Sequence, residues 1–161
     1  MNIFLPTLIL RHRKENLKKC SLRGLEIRED YKFYSYPLNQ ELPSLNHYVV
    51  LTLGAQELSP KDSEYGLFLI DGTWKLAEKM EQAIQNVCIH KRSLPKGFVT
   101  AYPRQQTGCT DPESGLASVE ALYIAHYLMG NKDLTLLDNY YWKDSFLQKN
   151  ESLLHSLVQV W

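Results

Sequence analysis

The stretch Leu67-Phe68-Leu69-Ile70-Asp71-Gly72-Thr73-Trp74 constrains this chain more than any other. Four consecutive apolar residues suit a strand covered on both faces, the kind that builds a parallel sheet. Asp71-Gly72 ends the run, and from Trp74 the apolar positions Trp74, Ala77, Met80, Ile84 and Val87 recur at helical spacing. An acid, a glycine, a hydroxyl and an indole therefore stand where a buried strand gives way to a helix. In α/β sheets, ligands bind at that carboxyl end of a strand, beside the free N–H groups of the helix start. Asp and Thr are also good helix caps, and a Trp in a first turn is usually core. On residue physics alone, capping ranks ahead of chemistry at this turn.

The remaining segments repeat the alternation of strand and helix. Thr7–Leu10, Tyr31–Tyr36, Tyr48–Leu53 and Phe98–Tyr102 read as strands. Ser59-Pro60 reads as a cap followed by proline at the first position of a short helix. The periodicity predicts helices over Trp74–Val87, over Ser118–Met129 with Ser118 as cap and Gly130 as stop, and from Asp144 towards Trp161. Leu94 is held extended because it precedes Pro95. Residues 103–116 have no apolar rhythm and form a long loop, of a length that in a compact domain is usually functional or disordered. The expectation is one α/β domain over 1–161, with a mostly parallel sheet flanked by helices.

Charge and composition narrow the function classes. The net charge is zero, with 18 basic and 18 acidic residues, so attraction to a polyanion needs a local patch. Arg11-His12-Arg13-Lys14-Glu15-Asn16-Leu17-Lys18-Lys19 is the densest cationic run, and it directly follows a strand. Such runs are usually solvated surface, but at a strand's carboxyl end this one suits a phosphate-bearing partner. Three scattered cysteines (Cys20, Cys88, Cys109) make neither a disulfide framework nor a zinc site, and the five histidines show no ligand spacing, so no metal is implied. No apolar run has the roughly 20 residues that cross a bilayer, and no signal peptide is recognisable, so a cytoplasmic protein is expected. Residue chemistry stops at a candidate site at Asp71–Trp74.

Four ordered segments carry a resemblance. Asp71-Gly72-Thr73-Trp74 with Ala77 and Met80, Lys18-Lys19-Cys20-Ser21-Leu22, Arg92-Ser93-Leu94-Pro95, and Leu116-Ala117-Ser118-Val119-Glu120-Ala121-Leu122 together resemble the DTW-domain family of the TDD superfamily. The resemblance spans about Thr7 to Met129. It implies a SPOUT-like fold with a C-terminal trefoil knot, a feature so rare that sequence physics would not suggest it. It also implies an enzyme that uses S-adenosylmethionine (SAM) to move a 3-amino-3-carboxypropyl group onto a ring nitrogen of uridine or a modified uridine in RNA. The tRNA-acting branch is favoured and rRNA is possible; the oligomeric state stays open. The alternatives are a SPOUT-type RNA methyltransferase and a non-catalytic RNA-binding module.

Carried onto this chain, the resemblance makes Asp71 catalytic, either removing the uridine ring proton or orienting the SAM ammonium. Thr73 and Trp74 would line the aminocarboxypropyl pocket, the indole facing the sulfonium. Lys19, Cys20 and Ser21 would contact the ribose or sulfonium side, Leu94 would offer backbone groups to adenine, and Ser118 with its helix start would hold the carboxylate. Arg11, Arg13, Lys14, Lys18 and Arg104 would meet RNA phosphates.

Overall fold

Among the described residues five strands, all paired in parallel, form one sheet in the order β2-β1-β4-β3-β5. They are β1 (Thr7–His12), β2 (Tyr31–Tyr36), β3 (Tyr48–Leu51), β4 (Gly66–Asp71) and β5 (Lys91–Arg92). The helices are α1 (Trp74–Ile84), α2 (Ser118–Leu128), α3 (Lys143–Lys149) and α4 (Glu151–Val158). The computed structural model describes residues 5–14, 17, 20–72, 74–84, 90–103 and 115–158, with 74, 75 and 158 as backbone only.

The two-residue period of the strands sorts their side chains into two cores. Leu8, Leu10, Val50 and Phe68 face α1 through Met80 and Ile84. Ile9, Val49, Leu67 and Leu69 face the layer of α2 with Phe146 and Leu154 from the C-terminal helices. The central β1 and β4 are thus covered on both sides, which is why their sequences are unbroken apolar runs rather than alternating ones. Helix α2 is buried nearly all round, so its sequence shows only a weak polar face. At Gly66 a side chain would collide with the Tyr48 ring on the neighbouring strand, so glycine is what lets β3 and β4 pair there.

Three expectations from the sequence change. β1 continues two residues past Leu10, so Arg11 and His12 are strand residues rather than the start of a loop. Residues 98–102 make no strand; the sheet edge is β5 instead. Their backbone groups are satisfied by side chains: Asn150 accepts from the Val99 N–H at 2.7 Å and donates to the Val99 carbonyl at 2.8 Å, while Glu120 accepts from the Ala101 N–H at 2.9 Å. The C-terminal helix is two helices, divided at the buried Asn150, whose amide also bonds the Phe146 carbonyl. Among the described residues no helix is long and apolar enough to cross a membrane.

Candidate active site

The chain leaves the carboxyl ends of β1 and β4 in opposite directions, from β1 to β2 on one side and from β4 through α1 to β5 on the other. Such a divergence marks the place where open α/β sheets bind ligands, the crevice outside the strand ends. The last paired residues there are Arg11 on β1 and Asp71 on β4, directly opposite each other in register. Both share the parity of Ile9 and Leu69, so both point to the α2 side of the sheet.

Asp71 is almost wholly buried, its side chain 5 % exposed, and among the described residues three donors converge on its carboxylate. Ser118, at the first turn of α2, donates its hydroxyl to Oδ1 at 2.7 Å. Arg11 Nε–H and the Cys20 thiol donate to Oδ2, each at 3.4 Å. Arg11 Nη2–H in turn donates to Cys20 Sγ at 3.5 Å. Burial, and after it the charge of Asp71, push the Cys20 thiol up to about 12. Cys20 is therefore a neutral hydrogen-bonding group at physiological pH and not a thiolate nucleophile.

The start of α2 is organised differently from the sequence reading. Its cap position is Ala117, which leaves the Ser118 hydroxyl available to Asp71. The Val119 N–H is taken by Ser21 Oγ at 3.1 Å, so Ser21 closes the helix end from the loop after β1. Glu120, fully buried, accepts from the Ala117 N–H at 2.7 Å, the Thr100 hydroxyl at 2.6 Å, the Ala101 N–H at 2.9 Å and the Tyr140 hydroxyl at 3.0 Å. One carboxylate thus ties the helix start, the 98–102 segment and Tyr140 together.

Leu94 lies just past β5, at the same end of the sheet as Asp71. Its segment is fixed through its neighbours. Ser93 bonds the backbone of Gln56, Ala55 and Leu58, and Arg92 Nε meets both oxygens of the buried Asp62 at 3.1 and 3.2 Å. Asp62 also closes the cap of the short 3-10 helix Pro60–Asp62 by accepting from the Ser59 N–H. Among the described residues, nothing hydrogen-bonds to the Leu94 backbone.

The basic run divides. Arg13 and Lys14 are exposed at the same end of β1, their turn tied down by bonds from the Arg13 N–H to the Tyr36 carbonyl and from the Lys14 N–H to His12 Nδ1. Arg11 turns inward: its side chain is 11 % exposed, pairs with Asp71 and Glu26, and lies over the Phe33 ring at 4.5 Å. That setting differs from the phosphate contact expected of it. Lys18, Lys19, Thr73 and Arg104 lie outside the described residues, and Trp74 is described as backbone only. Arg11 as a partner of Asp71, Glu26 and Glu120 were missed by sequence reasoning. For Arg11 the available signal was the alternation that sets Ile9 and Arg11 on one face, once the strand is allowed to run past Leu10.

A family model described as ribosome biogenesis protein, C-terminal, matches residues 49–160. The chain belongs to this family. The matched span of this ribosome biogenesis protein family member includes Asp71, Leu94 and Ser118, while β1 and the Cys20-Ser21 loop precede it. The fold is similar to that of the SAM-dependent rRNA:acp-transferase Tsr3 from Vulcanisaeta distributa, with a TM-score of 0.71, 23% identity, and coverage of 95% of this chain and 82% of that one. No curated protein matches the chain.

Proposed function

We propose that this protein is an RNA-modifying enzyme that transfers the 3-amino-3-carboxypropyl group of SAM to a uridine ring nitrogen. The observation that carries the reading is the likeness over 95% of the chain to the SAM-dependent rRNA:acp-transferase Tsr3. The ribosome biogenesis family and the rRNA-acting relative both favour rRNA over the tRNA expected from the sequence. The DTW-type sequence segments support the same reading, and with them a SPOUT-like topology carrying a C-terminal knot and a cytoplasmic place of work.

The residues of the crevice fit such a donor. SAM brings a sulfonium that makes the adjoining carbons electrophilic, and a buried carboxylate at Asp71 suits a cationic group better than an anionic one. Asp71 is kept in one orientation by Ser118 and Arg11, so it meets the ammonium or the uridine ring proton in a fixed geometry. The backbone groups of Leu94 suit the hydrogen-bonding edge of adenine. By the DTW-type resemblance, Thr73, Trp74, Lys19, Cys20 and Ser21 would contact the donor, with Cys20 acting only as a neutral hydrogen-bonding group. The Ser118 hydroxyl serves Asp71 first, so a substrate carboxylate near α2 would have to share it. Arg13 and Lys14 meet RNA phosphates, with Lys18 and Arg104 as further contacts.

The test incubates purified protein with RNA and SAM labelled in its carboxyl carbon, then digests the RNA to nucleosides for mass spectrometry. A labelled uridine heavier by one aminocarboxypropyl group, with methylthioadenosine released, supports the proposal. A methylated, unlabelled nucleoside assigns a methyltransferase instead. RNA binding with no product on rRNA or tRNA leaves a binding module.

A further inference from the structure

We infer that Arg11 is the positioning residue of Asp71, held in place from outside by Glu26. The guanidinium occupies a row of charges running from the surface to the crevice. Glu26 Oε1, on a side chain 38 % exposed, meets Arg11 Nη1 at 3.1 Å, and Arg11 Nε meets the nearly buried Asp71 Oδ2 at 3.4 Å. The Phe33 ring supports the guanidinium face at 4.5 Å, and Cys20 Sγ receives Nη2–H. Glu26 is itself anchored, since its Oε2 accepts the Gly24 N–H at 2.8 Å.

A planar, permanently charged group stacked on a ring and bonded along three edges has one orientation. It passes that orientation to Asp71, leaving Oδ1 to Ser118. A lysine would supply charge but could not bridge two carboxylates while lying flat on Phe33. The groups facing Asp71 among the described residues are Arg11 from β1, Cys20 from the following loop and Ser118 from α2. Arg11 is thus the one cation among these direct partners. A phosphate contact would require the guanidinium to give up buried partners that exposed Arg13 and Lys14 do not have to give up.

The consequence for catalysis rests on the transfer reading above, so the test has two parts. The first needs no activity. In 15N-labelled protein the Arg11 Nε–H resonance is expected to be protected from exchange and to shift when Asp71 is replaced by Asn. An unprotected resonance, unmoved by Asp71→Asn, overturns the pairing whatever reaction the protein performs. The second compares Arg11→Met, Arg11→Lys and Glu26→Gln, each checked for folding by its melting curve. Arg11→Met is expected to lower kcat for transfer about tenfold or more with KM for RNA unchanged. Arg11→Lys gives an intermediate kcat, and Glu26→Gln a smaller decrease of the same kind. If Arg11→Met does not fold, Arg11→Lys decides. A raised KM for RNA with kcat intact overturns the inference and returns Arg11 to the docking surface. Absence of transfer in the unmodified protein defeats the transfer reading alone, and the resonance then decides the inference.

Discussion

The Ser118 hydroxyl donates to Asp71 Oδ1 at 2.7 Å across 47 residues of chain, joining the first turn of α2 to the end of β4. Two residues that each look like a helix cap in the sequence are instead each other's partners. Replacing Asp71 by Ala is expected to abolish transfer while RNA affinity, carried by surface cations, is retained. Replacing Ser118 by Ala removes one donor to a carboxylate and is expected to lower kcat about tenfold. Transfer assays paired with RNA binding measure both; equal losses of binding and transfer would place these residues on the RNA surface.

The exposed Arg13 and Lys14 are expected to behave in the opposite way. Substituting both by Ala weakens RNA binding across sequences with kcat unchanged at saturating RNA. Removing one cation from a phosphate lowers the slope of log affinity against log salt by about one. Filter binding over a salt series reads this directly.

Cys20 is held neutral by burial and by Asp71, with its thiol pushed up to about 12. At pH 8 its alkylation is therefore expected to be far slower than that of a free cysteine, whose thiol ionises near 8.5. Cys20→Ser keeps a donor to Asp71 and is expected to retain transfer within a few-fold. Loss of all activity in that folded variant would point to covalent chemistry at sulfur. Peptide mass spectrometry after timed alkylation separates Cys20 from Cys88 and Cys109.

Glu120 is a buried carboxylate satisfied by four donors from three parts of the chain. Glu120→Ala leaves those donors in a dry interior and is expected to cost about 3–5 kcal/mol. Glu120→Gln preserves the shape but turns a donor towards donors, and is expected to cost less than Glu120→Ala. Urea unfolding gives the values; a loss below about 1 kcal/mol for Glu120→Ala would mean that water replaces the carboxylate.

His126 adds a pH dependence to stability. Burial, opposed only in part by the carboxylates of Asp133 and Asp30, takes its imidazole from the ordinary 6.5 down to about 4. The ring meets the Thr7 hydroxyl at 3.1 Å and the Tyr31 ring edge-on. Between those two values the unfolded chain binds a proton that the folded one refuses, so stability falls as pH drops from about 6.5 to about 4 and levels off below. The full contribution is about 3 kcal/mol. His126→Gln should flatten this part of the curve, measured by urea midpoints from pH 7 to pH 4.

Much of the scaffold was legible because it is written locally. Tyr31–Tyr36 spans the strand found, and the capped turn at Ser59-Pro60 forms with the box that closes it. The apolar run before Asp71 and the helical period after it define β4 and α1. Two of the misreadings share one cause. Phe98–Tyr102 has strand-forming residues, but its hydrogen bonds go to Asn150 and Glu120, and no local pattern announces a partner 51 residues away. Asn150 likewise sits inside an amphipathic pattern and breaks it, because its side chain is engaged by another segment.

By itself, then, the sequence determined the parallel α/β class, the two-sided burial of β4, and the place where Asp71 ends a strand, since side-chain period and turn chemistry act over a few residues. Only the tertiary structure decided what Asp71 faces. Parallel strands have no hairpin to set their neighbours, so the pairing of β1 with β4 is a contact of the folded sheet. That pairing brings Arg11 to Asp71 across 60 residues and turns a cation from solvent into the crevice.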